Sequence, residues 1–127
     1  MNKANIHREY LNSADADWKG TAMTTATATY YSRKIDISYS DGYASLLVAS
    51  SAGSLAIAYE VSYNGQDWYT PVDTDGNDLS VVYAALTVTA GAWISFGPIA
   101  APYLRFKFTL TGANSTVTAQ YMHKETT

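Results

Sequence analysis

Strict alternation of apolar and polar residues in two well-separated segments is the feature that most limits what this chain can become. In residues 55–63, Leu55, Ile57, Tyr59, Val61 and Tyr63 fall on one side of an extended backbone, and Ala56, Ala58, Glu60 and Ser62 fall on the other. In residues 103–110, Leu104, Phe106, Phe108 and Leu110 face one way, while Tyr103, Arg105, Lys107 and Thr109 face the other. A period of two does not fit an amphipathic helix, so each segment reads as a strand with one buried face. Weaker copies of the pattern occur at Ile35, Ile37 and Tyr39 and at Val117, Ala119 and Tyr121. Residues 79–89, LSVVYAALTVT, are apolar on both faces, and their β-branched content also favours a strand.

Turn residues punctuate these runs at Ser40-Asp41-Gly42, Ser51-Ala52-Gly53, Asn64-Gly65, Ala90-Gly91 and Gly112-Ala113-Asn114. They predict hairpins: residues 35–39 with 43–50, residues 55–63 with 66–69, and a terminal pair from 104–110 and 117–121. About eight strands and no long amphipathic helix imply an all-β fold. The expected architecture is a two-sheet antiparallel β-sandwich with jelly-roll-like connectivity over residues 21–127, preceded by an extended N-terminal arm over residues 1–20. The predicted core is Leu55, Ile57, Tyr59, Val61, Leu104, Phe106, Phe108 and Leu110.

The arm shows no sustained period. A short helix near residues 5–11 would suit it, as would a loose tail. Its large residues are costly to leave in water, and this favours docking on a neighbouring subunit through Tyr10, Leu11 and Trp18.

A length of 127 residues is that of one domain. Eight Lys and Arg residues are scattered along a chain of net charge −3, which argues against a nucleic-acid partner. The absence of cysteine removes disulfides, thiolate metal sites and a cysteine nucleophile. The first twenty residues lack a continuous apolar h-region, and nowhere do about 18 apolar residues run together, so neither a secretion signal nor a membrane span is expected. Eleven tyrosines against three phenylalanines supply aromatic bodies with a polar tip, a composition suited to large contact surfaces.

Residues for catalysis are sparse. The two histidines, His7 and His123, stand near opposite chain ends, which gives a Ser-His-Asp site little support. A glycosidase needs two carboxylates across a cleft, and Asp36, Glu60 and Asp67 could be nominated for that role, but Glu60 reads as a solvated strand residue. No enzyme activity and no cofactor are expected. Residues 73–78, DTDGND, resemble the start of an EF-hand loop, but Asp78 stands where the loop needs Gly and Ala84 where it needs a bidentate Glu. A polar turn is one reading; a non-EF Ca²⁺ site on Asp73, Asp75 and Asp78 is the other. Asn114-Ser115-Thr116 matches a glycosylation sequon but reads as a turn. Trp18, Trp68 and Trp93 could stack on sugar rings or pack over the ends of the core.

The segment YEVSYNGQDWY at residues 59–69, followed by PYLRFKFTLTGANSTVTAQY at residues 102–121, resembles two groups of proteins. One is the discoidin-like jelly roll, whose end-closing cysteines and longer N-terminal region this chain lacks. The other is the small β-sandwich structural proteins of tailed bacteriophages, including capsid decoration proteins. The second resemblance implies a non-enzymatic virion role on the capsid surface, in a protein made in the host cytoplasm. It implies the major capsid protein or another virion protein as partner, and a small homo-oligomer, with a trimer favoured. A carbohydrate-binding module for host recognition is the alternative.

Overall fold

A computed structural model describes residues 5–11, 22–23, 27–87 and 91–125. Among these the chain forms ten antiparallel strands: β1 (Asn5–Tyr10), β2 (Ala22–Met23), β3 (Thr27–Tyr31), β4 (Ile35–Asp36), β5 (Ser40–Ser50), β6 (Ser54–Ser62), β7 (Val81–Leu86), β8 (Ala92–Phe96), β9 (Tyr103–Thr111) and β10 (Ser115–Glu125). One sheet runs β1-β10-β5-β8, with β2 also paired to β10; the other runs β3-β9-β6-β7, with β4 also paired to β9. Setting aside the two-residue strands, the partners are nested, first strand with last and so on inward to β6 with β7. Successive pairs alternate between the two sheets. This is the rolled-up arrangement of a jelly roll, as expected.

The alternation read in the sequence sets which face is buried. Leu55, Ile57, Tyr59 and Val61 on β6 and Leu104, Phe106, Phe108 and Leu110 on β9 all lie in the core. They are paired in register, Ile57 opposite Phe108 and Tyr59 opposite Phe106. The facing sheet contributes Leu46, Val48, Ile94, Val117, Ala119 and Tyr121. Phe106 sits at the centre, its ring 5.7 Å from Phe96, 6.1 Å from Phe108 and 5.8 Å from Tyr121. Between β3 and β4 the ladder to β9 is interrupted, and buried Ser32 bridges the gap: its Oγ accepts from the Phe106 amide while its own amide donates to the Phe106 carbonyl.

The predicted hairpins are corrected. β4 and β5 lie in different sheets, as do β9 and β10, so the links at 37–39 and 112–114 are arches between sheets. The same holds for Ser51-Ala52-Gly53 between β5 and β6. After Asn64-Gly65 the chain returns only to a single bridge between Val61 and Tyr69; β6 finds its ladders in β9 and β7. A tight turn reverses the chain equally well within a sheet or across the core, and burial of both inner faces selects the second. Gly53 shows how closely the arches pack. It has a φ of +73°, and a Cβ there would lie 2.9 Å from the Thr111 carbonyl oxygen. Ser115 Oγ, at the start of β10 just after the neighbouring arch, accepts from the amides of Ser51 and Ala52.

The arm is also revised. Residues 5–10 form neither a helix nor a loose tail but the edge strand β1, in register with β10. Leu11 is fully buried in the core of its own domain, and its amide donates to the Ala119 carbonyl. Residues 5–11 therefore belong to the sandwich, and Leu11 is not available to a partner. The described part of the segment, 79–87, proves less buried than expected: in β7, a sheet edge, Leu86 is buried but Val81 and Tyr83 are exposed.

Candidate functional site

Each sheet also has an outer face, and the two differ. On the outer face of the β1-β10-β5-β8 sheet, Ile6 is 53% exposed, Tyr10 68%, Tyr43 73% and Trp93 63%. Pairing aligns Tyr10, Gln120, Leu47 and Trp93 in one row across four strands, and Arg8, Met122, Ser45 and Ser95 in the next. Ile6, Tyr43, Trp93, Met122 and Lys124 line a cleft of about 400 Å³ on this face. Large apolar side chains concentrated on one sheet face, with a few polar residues among them, are the mark of an interaction surface.

The outer face of the other sheet is more engaged with itself. Glu60 and Arg105 are directly opposed on β6 and β9, and the Arg105 Nε and Nη2 groups both donate to Glu60 Oε1 at 2.8 Å. The guanidinium lies 4.0 Å from the ring centre of Tyr31 and 4.7 Å from that of Trp68. Trp68 thus stacks on a cation. Arg105→Ala is expected to cost about 1 to 2 kcal/mol, since the cation–π contacts add to a partly buried ion pair. A double-mutant cycle with Glu60→Ala, followed by urea denaturation, checks this: a coupling near zero would mean the pair only decorates the surface.

The other predicted residues are placed as follows. Tyr10 stands on the apolar outer face, Leu11 is in the core, and Trp18 lies outside the described residues. Asp73 is occupied by its own loop: Oδ1 accepts from the amides of Asp75 and Asn77, and Oδ2 from the Asn77 side chain. The Asn77 bonds, led by its amide, hold the Asp73 carboxyl below the usual range, and hydrogen bonds from Ser80 do the same for Asp78. Among the described residues, Asp73, Asp75 and Asp78 do not form a converging ligand set. The carboxylates nominated for glycosidase work are each engaged locally, Glu60 with Arg105, Asp36 with the Ser38 amide and Asp67 with the Asn64 side chain.

The fold unites two residues that sequence reasoning kept apart. His7 and His123 are direct partners across β1 and β10, with rings stacked at 4.8 Å. His123 is buried, and desolvation, reinforced by the neighbouring His7, pushes its pKa below the usual histidine value. Glu9 Oε2 is 2.9 Å from His7 Nε2, and Arg33 Nε is 3.6 Å from Glu9 Oε1. A signal for this existed: His7-x-Glu9 and Tyr121-x-His123-x-Glu125 place their polar groups on single strand faces, one at each end of the chain.

No protein-family model and no curated protein matches this chain. Its fold is similar to that of a chain in the structure of infectious bursal disease virus, Gx strain, with a TM-score of 0.52 at 9% sequence identity. The match covers 98% of this chain and 32% of the viral one, so the chain spans about a third of that protein's length. At such identity the likeness is one of fold.

Proposed function

We propose that this chain is a non-enzymatic virion structural protein of the decoration type, docking on the capsid exterior through the outer face of the β1-β10-β5-β8 sheet. The observation that carries the reading is that face itself, where Ile6, Tyr10, Tyr43 and Trp93 stand exposed together on one hydrogen-bonded sheet. The jelly-roll topology and the fold likeness to a chain of a virus structure support it. The partner is the major capsid protein or another virion protein. Binding works by buried area: a standard interface covers about 1,600 Å² in total, and Trp and Tyr anchors dominate its energy. A small homo-oligomer, a trimer at a capsid threefold axis, multiplies weak single contacts through high effective concentration.

Mixing the protein with capsids that lack it and pelleting them is the test. Co-sedimentation that saturates at a fixed number of copies per capsid is expected; protein left in the supernatant at all concentrations would end the decoration reading. One observation favours a second reading, in which a glycan stacks on Trp93 and Tyr43 at the cleft. A monomer in solution that binds a glycan array and not capsids would favour that alternative.

A further inference from the structure

The described residues bring together a single set of three metal-ligating side chains, and nothing in the decoration reading uses it. His7, His123 and Glu125 place one ligand atom each within 4.8 Å of the others. Glu125 Oε1 is 3.5 Å from His7 Nδ1 and 3.8 Å from His123 Nε2. Four ligands around a tetrahedral zinc ion stand about 3.3 Å apart, so small side-chain adjustments would close the set. The Nε2 atom of His123 is buried and has no hydrogen-bond partner, an arrangement that ordinarily has an explanation such as an ion.

The far side of each ring is already held. His7 Nε2 is bonded to Glu9, and His123 Nδ1 lies 3.0 Å from the Tyr121 hydroxyl. With those nitrogens carrying the protons, Nδ1 of His7 and Nε2 of His123 turn lone pairs toward Glu125. Histidine ligands are typically fixed by a bond of this kind on the second nitrogen. Backbone geometry adds a further sign: the ladder between β10 and β5 is irregular between His123 and Glu125, the kind of bulge that re-aims side chains beside a site. The surroundings are anionic as well, with Glu9 and Asp41 in electrostatic reach of His123.

We propose that His7, His123 and Glu125 form a site for one divalent transition-metal ion of the zinc class, with a fourth position for water or an added ligand. Two imidazoles and a carboxylate suit such an ion better than Ca²⁺ or Mg²⁺, which take oxygen ligands. The ion would clip the first strand of the sandwich to the last. Because β1 carries Ile6 and Tyr10, loading the site would also firm one edge of the apolar outer face.

The test uses full-length protein without a polyhistidine tag, stripped by chelator, then titrated with Zn²⁺ by calorimetry and with Co²⁺ by visible absorption. One ion per chain, the absorption bands of a four-coordinate Co²⁺ site and a higher thermal midpoint are expected, with no effect of Ca²⁺. His7→Ala and Glu125→Gln remove ligands at half-exposed positions and are expected to weaken Zn²⁺ about a hundredfold. Glu9→Gln, which keeps all three ligands but weakens the hydrogen bond that orients His7, is expected to weaken it about tenfold. Lack of stoichiometric binding would overturn the proposal. So would an affinity unchanged in both ligand variants while circular dichroism shows them folded, or one lost only when Asp73, Asp75 and Asp78 are changed to Asn.

Discussion

Replacing Phe106 by alanine is expected to destabilise the protein by about 3 to 5 kcal/mol, the range for truncating a buried aromatic. Phe106 is fully buried on β9 and touches both sheets, through Phe108 on its own strand and through Phe96 and Tyr121 opposite. Its loss removes apolar burial, opens a cavity and forfeits tilted ring contacts that add about 0.5 to 1.5 kcal/mol each. Urea denaturation measures it directly. A loss under about 1 kcal/mol would mean that β9 is slipped by one residue, since such a slip exchanges inner and outer faces.

Leu11→Ala is expected to cost about 2 to 5 kcal/mol, whereas Tyr10→Ala, one residue away, should change stability by no more than about 0.5 kcal/mol. The contrast follows from their places: Leu11 is fully buried among the core residues, and Tyr10 projects outward from β1 opposite Gln120. Under the proposed function their roles reverse for binding, with Tyr10→Ala weakening capsid attachment and Leu11→Ala acting only through the fold. Thermal denaturation of the two variants decides the matter. If Leu11→Ala is as stable as the parent chain, residues 5–11 form a dispensable arm after all.

The central strands were legible because their information is local. Leu104, Phe106, Phe108 and Leu110 declare a buried face by spacing alone, and all four are in the core. The arches were not legible, because Gly112-Ala113-Asn114 and Ser51-Ala52-Gly53 carry turn chemistry that fits a hairpin or a crossover alike. Only packing of the two inner faces decides between them. β1 was missed for a different reason. Its alternation is inverted: His7 and Glu9 turn inward while Ile6 and Tyr10 turn out, so a search for apolar inner faces sees no strand. The inward polar groups of β1 are tolerated because Glu9 and His7 are hydrogen-bonded to each other and the Glu9 charge is balanced by Arg33 at ion-pair distance.

The same inversion bears on the candidate surface. The sequence marks Tyr10 as a docking residue of an extended arm, and the strand places it instead on a sheet face in line with Leu47 and Trp93. Aromatic side chains presented from a paired strand lose less entropy on binding than those of an unpaired tail, which supports the proposed docking role.

Capsid binding by two matched double variants tests the proposed docking face most directly. Tyr43→Ser with Trp93→Ser removes two exposed anchors from the β1-β10-β5-β8 face; Tyr63→Ser with Tyr83→Ser removes two exposed tyrosines elsewhere, one from the β6–β7 loop and one from β7. In a quantitative co-sedimentation assay the first pair is predicted to raise the apparent Kd about tenfold or more, with an unchanged melting temperature, and the second to bind like the parent protein. Equal binding by all three proteins, or a loss confined to the second pair, would contradict docking through this face.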